Sequence, residues 1–93
     1  MKRLIIVDDH AVVRQGLKSA CIDHGFEVVA AVGNVNEARS AIAALVPDAV
    51  VVDLNLPDAS GFDLIHWIRT IDAALPIIIL TLNDSVEFLV AAR

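Results

Sequence analysis

Three acidic side chains stand directly after two apolar segments of this chain, and their types and spacing are suited to chemistry. Asp8 and Asp9 follow the apolar residues 4–7, and Asp53 closes the apolar residues 50–52. In an open α/β sheet, ligands bind in the crevice beyond the carboxyl ends of the strands. If the two segments are neighbouring parallel strands, the three carboxylates meet in one such crevice.

Converging carboxylates raise one another's pKa and destabilise a fold unless a cation lies among them. Oxygen ligands suit Mg²⁺ better than zinc, which would want the His or Cys ligands that this crevice hardly offers. With a cation in place, Asp53 could attack phosphorus and form an aspartyl phosphate. Thr81, after a further apolar run, could donate its hydroxyl to a phosphoryl oxygen.

Each residue also has a plainer interpretation. Asp8 and Asp9 could only cap the helix that follows, and Thr81 could be an ordinary β-branched strand end. Asp53 could bind a loop N–H group. His10 stays open between a partly exposed loop residue and a ligand. The shared position of the carboxylates at one predicted sheet edge favours the functional interpretation.

Hydrophobic periodicity predicts the elements that position these residues. Four strands, apolar on both faces, alternate with four helices: strands at 4–7, 27–32, 49–53 and 76–81, helices at 11–24, 35–46, 61–71 and 86–93. Such strands indicate a parallel sheet covered on both sides, with strand order 2-1-3-4. Asn34 with Glu37 predicts a capping box, and Ser60 predicts the N-cap of the third helix. The predicted apolar stripe of that helix is Phe62, Ile65, Ile68 and Ile71.

Composition limits the classes of function. The chain of 93 residues is one domain at most. Its apolar runs are far shorter than the roughly 20 residues of a membrane span, and its formal net charge of -5 argues against direct binding of nucleic acid. The single cysteine, Cys21, excludes an internal disulfide and fits a reducing cytoplasm.

These segments together resemble the receiver domain of two-component response regulators, and residues 5–17 are similar to the opening of NarL/FixJ-type (LuxR-type) regulators. The resemblance rests on the pair Asp8-Asp9, on residues 47–58 with Gly61 after them, and on residues 77–81. It implies a flavodoxin-like (CheY-like) doubly wound parallel sheet. It also implies a non-enzymatic signalling protein of the cytoplasm whose phosphoryl donor is a sensor histidine kinase.

The resemblance implies a role for each motif residue. Asp53 would be the phospho-acceptor and Thr81 the switch hydroxyl. Asp8, Asp9 and Asp53, with the backbone carbonyl of Asn55, would hold Mg²⁺. The phosphoryl signal would control transcription through a DNA-binding output domain outside these residues.

The family's domain is longer than this chain, so the resemblance implies a receiver over residues 1–93 that is incomplete at its C-terminus. It would lack the fifth strand, the fifth helix and the family's lysine, since no lysine follows Lys18. We therefore expect strand four to be an exposed apolar edge. Self-association, as a dimer or larger homo-oligomer, would follow through that edge or through exchange of the fourth helix.

Two other functions are open. The chain could be a fragment that keeps an acidic Mg²⁺ pocket and acts only as a self-associating binding module, with phosphorylation impaired. A small phosphohydrolase with Asp53 as nucleophile ranks last, because Asn55 stands where a second carboxylate would supply the acid and base.

Overall fold

The computed structural model describes residues 1–82 and 86–91, with side chains described as far as Leu80. Its elements are β1 (Arg3–Val7), α1 (Ala11–Asp23), β2 (Glu27–Val32), α2 (Val35–Leu45), β3 (Ala49–Asp53), α3 (Gly61–Ile71), β4 (Ile77–Leu82) and β5 (Val86–Ala91). The alternation of strand and helix predicted from the sequence is confirmed as far as β4.

The strands form one sheet in the order β2-β1-β3-β4-β5. β1 pairs in parallel with β2 on one side and with β3 on the other, and β4 continues the parallel arrangement beside β3. The direction of winding therefore reverses between β1 and β3. The predicted order 2-1-3-4 and the flavodoxin-like architecture are confirmed, and the reversal places a crevice beyond the ends of these two central strands.

The three helices differ in how they begin. Asn34 Oδ1 accepts a hydrogen bond of 2.8 Å from the Glu37 N–H at the start of α2. Ser60 Oγ accepts one of 3.1 Å from the Phe62 N–H at the start of α3. Both caps were predicted. α1 begins after His10, whose side chain makes no capping hydrogen bond. Among the helices of the described residues, α2 and α3 alone have the side-chain caps that stabilise a first turn.

The predicted apolar stripe of α3 is confirmed in part: Ile68 is buried and Ile65 packs against the core. The buried residues of α3 are Gly61, Leu64 and Ile68, whereas the predicted stripe included Phe62 and Ile71. Those two side chains are 62% and 52% exposed. One residue turns a helix face by about 100°. A stripe that begins at Phe62 therefore misses Gly61 and Leu64, which lie on the inner face.

The sheet separates two apolar clusters of unequal size among the described side chains. α2 and α3 cover the larger, the α2/α3 cluster, whose buried members are Ile5, Val7, Val35, Ala38, Ile42, Val50, Val52, Leu64, Ile68, Leu75 and Ile77. α1 covers the smaller, the α1 cluster, in which Val13, Leu17 and Cys21 pack on buried Ile6, Val51 and Leu80. Strand alternation sends successive residues of β1 and β3 to opposite clusters. No residue of α1 itself is buried.

Residues 86–91 form a strand, so the predicted fourth helix is wrong there. β5 pairs antiparallel with β4 over its whole length, from Ile77 opposite Ala91 to Leu82 opposite Val86. The segment is rich in β-branched and aromatic residues, which favour strands. A helical pattern over so few residues is also weak. Asp84, the predicted start of the helix, lies outside the described residues.

The pairing with β5 also corrects two expectations that depended on the fourth helix. β4 is not an exposed edge, because β5 supplies partners for its outer N–H and C=O groups. A fifth strand is present, although it is antiparallel rather than the parallel strand of the family. Association through a bare β4 edge, or through exchange of a fourth helix, therefore has no structural basis.

The helices are short. The longest, α1, has 13 residues, whereas a span of a bilayer takes about 20. Within residues 1–82 and 86–91, no helix combines the length and the apolar character that a membrane crossing requires.

Candidate functional site

β1 and β3 end side by side at the carboxyl edge of the sheet, and a buried carboxylate stands at each end. Val7 pairs with Val52 in the parallel register, so Asp8 and Asp53 follow at the same level. Asp8 is fully buried and Asp53 is only 1% exposed. The predicted meeting of the first and third strand tips is confirmed.

Asp9 and His10 complete an acidic cluster with these two residues. One ligand-capable atom of each of the four residues lies within 4.8 Å of the others. Asp8 and Asp53 form the floor of the cluster, while Asp9 and His10 are exposed at its mouth. The cluster is therefore buried on one side and exposed to solvent on the other.

The imidazole of His10 lies among the carboxylates of the cluster, although more than half of its side chain is exposed. Its Nδ1 lies 3.2 Å from Asp8 Oδ1, 3.1 Å from Asp9 Oδ1 and 3.8 Å from Asp53 Oδ2. The hydrogen bond with Asp8, followed by the negative charge of Asp9, raises the pKa of His10. The crevice therefore contains one imidazole beside its carboxylates, and whether His10 binds a metal stays a prediction.

Several groups around Asp53 act on the pKa of its carboxyl group, in opposite directions. Burial raises the pKa of its carboxyl group, and the charges of Asp8 and Asp9 act in the same direction. The N–H of Asn55 donates a 3.0 Å hydrogen bond to Oδ1 of Asp53 and opposes that shift. The negative form of Asp53 is thus held by one backbone donor and disfavoured by its surroundings.

Two buried carboxylate oxygens of the cluster lack a hydrogen-bond partner in the described part of the chain: Oδ2 of Asp8 and Oδ2 of Asp53. Buried polar atoms are nearly always hydrogen-bonded, so such exceptions call for an explanation. A divalent cation among the carboxylates would satisfy both atoms. Hard oxygen donors of this kind fit Mg²⁺, and the donor set therefore agrees with the predicted ion.

Gly61 lets α3 begin directly against the end of β3. Its N–H donates a 2.9 Å hydrogen bond to the carbonyl oxygen of Leu54. A Cβ at this position would lie 2.5 Å from the carbonyl oxygen of Asp53 and 2.6 Å from Leu54 Cα. These are backbone atoms that cannot turn aside, so only glycine fits. The sequence motif contains Gly61, and the structure supplies the reason.

Asp58 ties the loop after Asp53 to the start of α2. Its two carboxylate oxygens accept hydrogen bonds from the N–H groups of Val35, at 2.9 Å, and Asn36, at 3.0 Å. The bond from Val35 is the main reason why the pKa of Asp58 is lowered. Sequence reasoning missed this role because the partners lie more than twenty positions away along the chain.

Arg14 is a second residue that sequence reasoning missed. Its Nη1 donates a 2.7 Å hydrogen bond to the backbone carbonyl of Asp8. Gly33 leaves room for this guanidinium group, since a Cβ there would lie 3.1 Å from Nη1. The guanidinium group of Arg14 therefore places a positive charge against the backbone at the end of β1. The only signal in the sequence is its position one turn into α1.

The structure brings Asp8, Asp9 and Asp53 together, but the predicted roles of Asp53 as phospho-acceptor and of the three carboxylates as metal ligands stay predictions. The same holds for two further predicted site residues. Thr81 lies in β4 one residue beyond Leu80, which pairs with Asp53, but its side chain is outside those described. Asn55 contributes its N–H to Asp53. The switch hydroxyl of Thr81 and the metal-binding carbonyl of Asn55 stay predictions.

A doubly wound sheet with an acidic cluster at its β1/β3 switch point defines the CheY-like class of flavodoxin-like domains. A comparison with family models is consistent with that class: the model of the response regulator receiver domain matches residues 4–93. The chain belongs to this family, as the sequence motifs predicted.

The most similar curated relatives include longer transcriptional regulators. The chain is 34% identical over 84 residues to the nitrate/nitrite response regulator protein homolog of Haemophilus influenzae, which covers 89% of this chain and 40% of that protein. It is 39% identical over 84 residues to the virulence transcriptional regulatory protein PhoP of Salmonella typhimurium, covering 90% and 37% respectively. The chain therefore spans about two fifths of the length of these relatives.

Solved structures agree in fold. A two-component response regulator of the LuxR family from Aurantimonas sp. superimposes with a TM-score of 0.84 at 36% identity, over 89% of this chain and 60% of that one. The response regulator protein TrrA of Thermotoga maritima, solved in complex with Mg²⁺ and BeF, gives 0.82 at 33% identity, over 87% and 70%. The predicted similarity to LuxR-type regulators is thereby confirmed.

Proposed function

We propose that this chain is the phosphoryl-accepting receiver of a two-component system and that Asp53 accepts the group from a phosphohistidine of a sensor histidine kinase. The observation that carries this proposal is the buried Oδ2 of Asp53, which has no hydrogen-bond partner among the described residues and lies within an acidic cluster that opens to solvent. Membership of the receiver family supports it. So does the likeness to TrrA, whose structure holds Mg²⁺ and BeF.

The residues of the chain prepare Asp53 as a nucleophile. The Asn55 N–H holds Oδ1 in a fixed position, so the carboxylate presents one oriented face to the crevice. Burial keeps competing water away from that face. As an oxygen of Asp53 bonds to phosphorus, the P–N bond of the donor breaks. The electron pair passes to the leaving imidazole, which takes up a proton from water.

Asp8, Asp9 and Asp53, with the backbone carbonyl of Asn55, would hold Mg²⁺. When bound, this ion supplies positive charge that offsets the charge on the transferring phosphoryl group. The Oδ2 atoms of Asp8 and Asp53, which lack hydrogen-bond partners among the described residues, support this assignment, because a cation would satisfy both. The hydroxyl of Thr81 would then donate to a phosphoryl oxygen.

The product of this reaction is a signal rather than a released compound. The relatives named above are transcriptional and response regulators more than twice as long as this chain. We infer that residues 1–93 form the receiver part of such a cytoplasmic regulator, and that a DNA-binding output domain reads the phosphorylated state.

The direct test is incubation of the chain with Mg²⁺ and acetyl phosphate, followed by intact mass spectrometry. We expect the wild type to gain the mass of one phosphoryl group and Asp53→Asn to gain none. Asp63→Asn is the matched control, because Asp63 is an exposed carboxylate in the first turn of α3. This control variant is expected to be phosphorylated as the wild type is.

Circular dichroism would show that Asp53→Asn keeps its fold, so that loss of the adduct reflects loss of the acceptor. An adduct that persists in Asp53→Asn would exclude Asp53 as the acceptor. Absence of an adduct in the folded wild type, with Mg²⁺ bound, would leave this chain a cation-binding module instead.

A further inference from the structure

We propose that Arg14 is a positioning residue of the acidic cluster. Its guanidinium group fixes the peptide between Asp8 and Asp9, and that peptide sets where the two carboxylates lie relative to each other. The inference rests on the proposed function in one respect, namely that these carboxylates hold Mg²⁺. It goes beyond that function by assigning part of the affinity for the ion to a residue that does not bind the ion itself.

The peptide between Asp8 and Asp9 joins the buried floor of the cluster to its exposed mouth. Its carbonyl belongs to Asp8 and its N–H to Asp9, and the whole unit is planar. The backbone torsion angles on either side of this plane place one carboxylate relative to the other. A group that holds the carbonyl oxygen of Asp8 therefore restricts the positions of both side chains.

Arg14 holds this carbonyl at the point where β2 ends. The N–H of Asp8 donates a 3.0 Å hydrogen bond to the carbonyl oxygen of Val32, the last residue of β2. The carbonyl oxygen of Asp8 accepts a 2.7 Å hydrogen bond from Nη1 of Arg14. Hydrogen bonds from a charged donor are stronger than those from a neutral one. Asp8 is thus held on its N–H side by β2 and on its carbonyl side by α1.

Gly33 keeps the space that this guanidinium group occupies. A Cβ at Gly33 would lie 3.1 Å from Nη1 of Arg14, but 3.9 Å from both the carbonyl oxygen of Asp8 and Cα of Asp9. The first distance is tighter than ordinary contact and the other two are not. A methyl group at this position would therefore displace the end of the Arg14 side chain and leave the peptide itself untouched. Gly33 offers a second way to disturb the same hydrogen bond.

The fixed peptide matters because the cluster binds a cation best when its ligands are already in place. Asp8 is buried, whereas Asp9 is exposed at the mouth and has more freedom to move. Ligands that are held beforehand lose less conformational freedom on binding. Groups that orient metal ligands from outside commonly change the affinity for the ion by about 10- to 100-fold when they are removed.

A purely electrostatic role for Arg14 predicts the opposite sign. A positive charge near a cation site repels the ion, so its removal would strengthen the binding of Mg²⁺. If Arg14 acts by positioning the carboxylates, its removal weakens that binding instead. The direction of the change in the Kd for Mg²⁺ therefore distinguishes the two roles.

The experiment is an NMR titration of the chain with MgCl₂, in which amide peaks of the cluster give the Kd. We expect Arg14→Met to raise the Kd by about tenfold. Lys18→Met is the matched control, because it removes one positive charge from the same helix one turn further on. This control is expected to change the Kd by less than about twofold. An unchanged or lower Kd in Arg14→Met would overturn the positioning role.

The metal-free chain gives a readout that does not depend on Mg²⁺. The amide nitrogen of Asp9 belongs to the peptide whose carbonyl Arg14 holds, so its resonance should shift in Arg14→Met and stay in place in Lys18→Met. Circular dichroism would show that both variants are folded. An Asp9 resonance that moves equally in the two variants would contradict a specific hold on this peptide.

A double-mutant cycle with Gly33 tests the same contact from its other side. Gly33→Ala should weaken Mg²⁺ binding in the wild type and have no further effect in Arg14→Met, because the displaced group is then absent. Equal effects in the two backgrounds would overturn the inference. A wild type that binds no Mg²⁺ would instead overturn the proposed cation site, so the two failures are distinguishable.

Discussion

The helices on the two faces of the sheet differ in how deeply they are packed and in how they are capped. α2 and α3 each begin at a side-chain cap and bury residues in the α2/α3 cluster. α1 lies alone over the other face among the described elements, has no side-chain cap and buries no residue fully. Helix stability in proteins comes mainly from packing of an apolar face, with smaller contributions from caps. We therefore expect α1 to receive less stabilisation from burial and capping than α2 and α3.

The acidic cluster lies on the boundary between these two regions. Asp53 and the loop after it belong to the firmly packed side, where Asp58 joins that loop to α2. His10 and Arg14 come from the start of α1. Asp53 is thus placed by the more deeply packed part of the molecule, whereas His10, whose charge acts on the pKa of Asp53, is carried by the less buried part.

The largest effect should appear when one leucine is truncated on each face. We expect Leu64→Ala to lower the free energy of unfolding by about 3 kcal/mol, because Leu64 is fully buried in the α2/α3 cluster. Leu17→Ala, on the half-buried inner side of α1, should cost only about 1 kcal/mol. Urea denaturation measures both. Equal losses in the two variants would contradict the difference between the faces.

Replacing one glycine on each face of the sheet by alanine should change the free energy of unfolding by an intermediate amount, with opposite signs for the two faces. Gly61→Ala should destabilise the chain by about 2 kcal/mol, since its Cβ would meet the backbone at the end of β3. Gly16→Ala should stabilise it by roughly 0.5 to 1 kcal/mol, because a Cβ there meets no atom within 4 Å and alanine favours the helix. Thermal unfolding separates the two, and a stabilising Gly61→Ala would refute the close approach.

The smallest effect concerns the pH dependence that Asp58 contributes. Its pKa is lowered in the folded state by the N–H groups of α2. This stabilisation is therefore present above the pKa of the unfolded chain and is lost as pH falls through the folded value. We expect Asp58→Asn to lower the unfolding temperature at neutral pH and to flatten its fall below pH 4 or so. Asp63→Asn, without such partners among the described contacts, is the control. Parallel acid profiles of wild type and Asp58→Asn would contradict a stabilising role for the hydrogen bonds that Asp58 accepts from α2.

The architecture as far as β4 was predictable because strong local signals coincide there. Runs such as Val50 to Val52 are apolar on both faces, and Asn34 and Ser60 are caps in their own sequence context. The errors fall where local signals are weak. Residues 86–91 are too few for periodicity to separate helix from strand, and their partner is a segment of β4 that the pattern does not reveal.

The candidate site divides in the same way. Asp8, Asp9 and Asp53 were predictable because strand topology alone brings the tips of β1 and β3 together. His10 was left open because the direction of its ring depends on a hydrogen bond between Nδ1 and Asp8 Oδ1 that the sequence does not show. Asp58 and Arg14 act through backbone groups, which carry no residue-specific signal.

The carboxylate of Asp58 couples the position of the loop after Asp53 to the amides in the first turn of α2. A displacement of that loop lengthens or bends two hydrogen bonds that end on the amides of Val35 and Asn36. Amide proton frequencies respond steeply to such changes, so these two peaks can report events in the crevice from outside it. Selective isotope labelling of the valine residues would include the Val35 amide among the observed peaks.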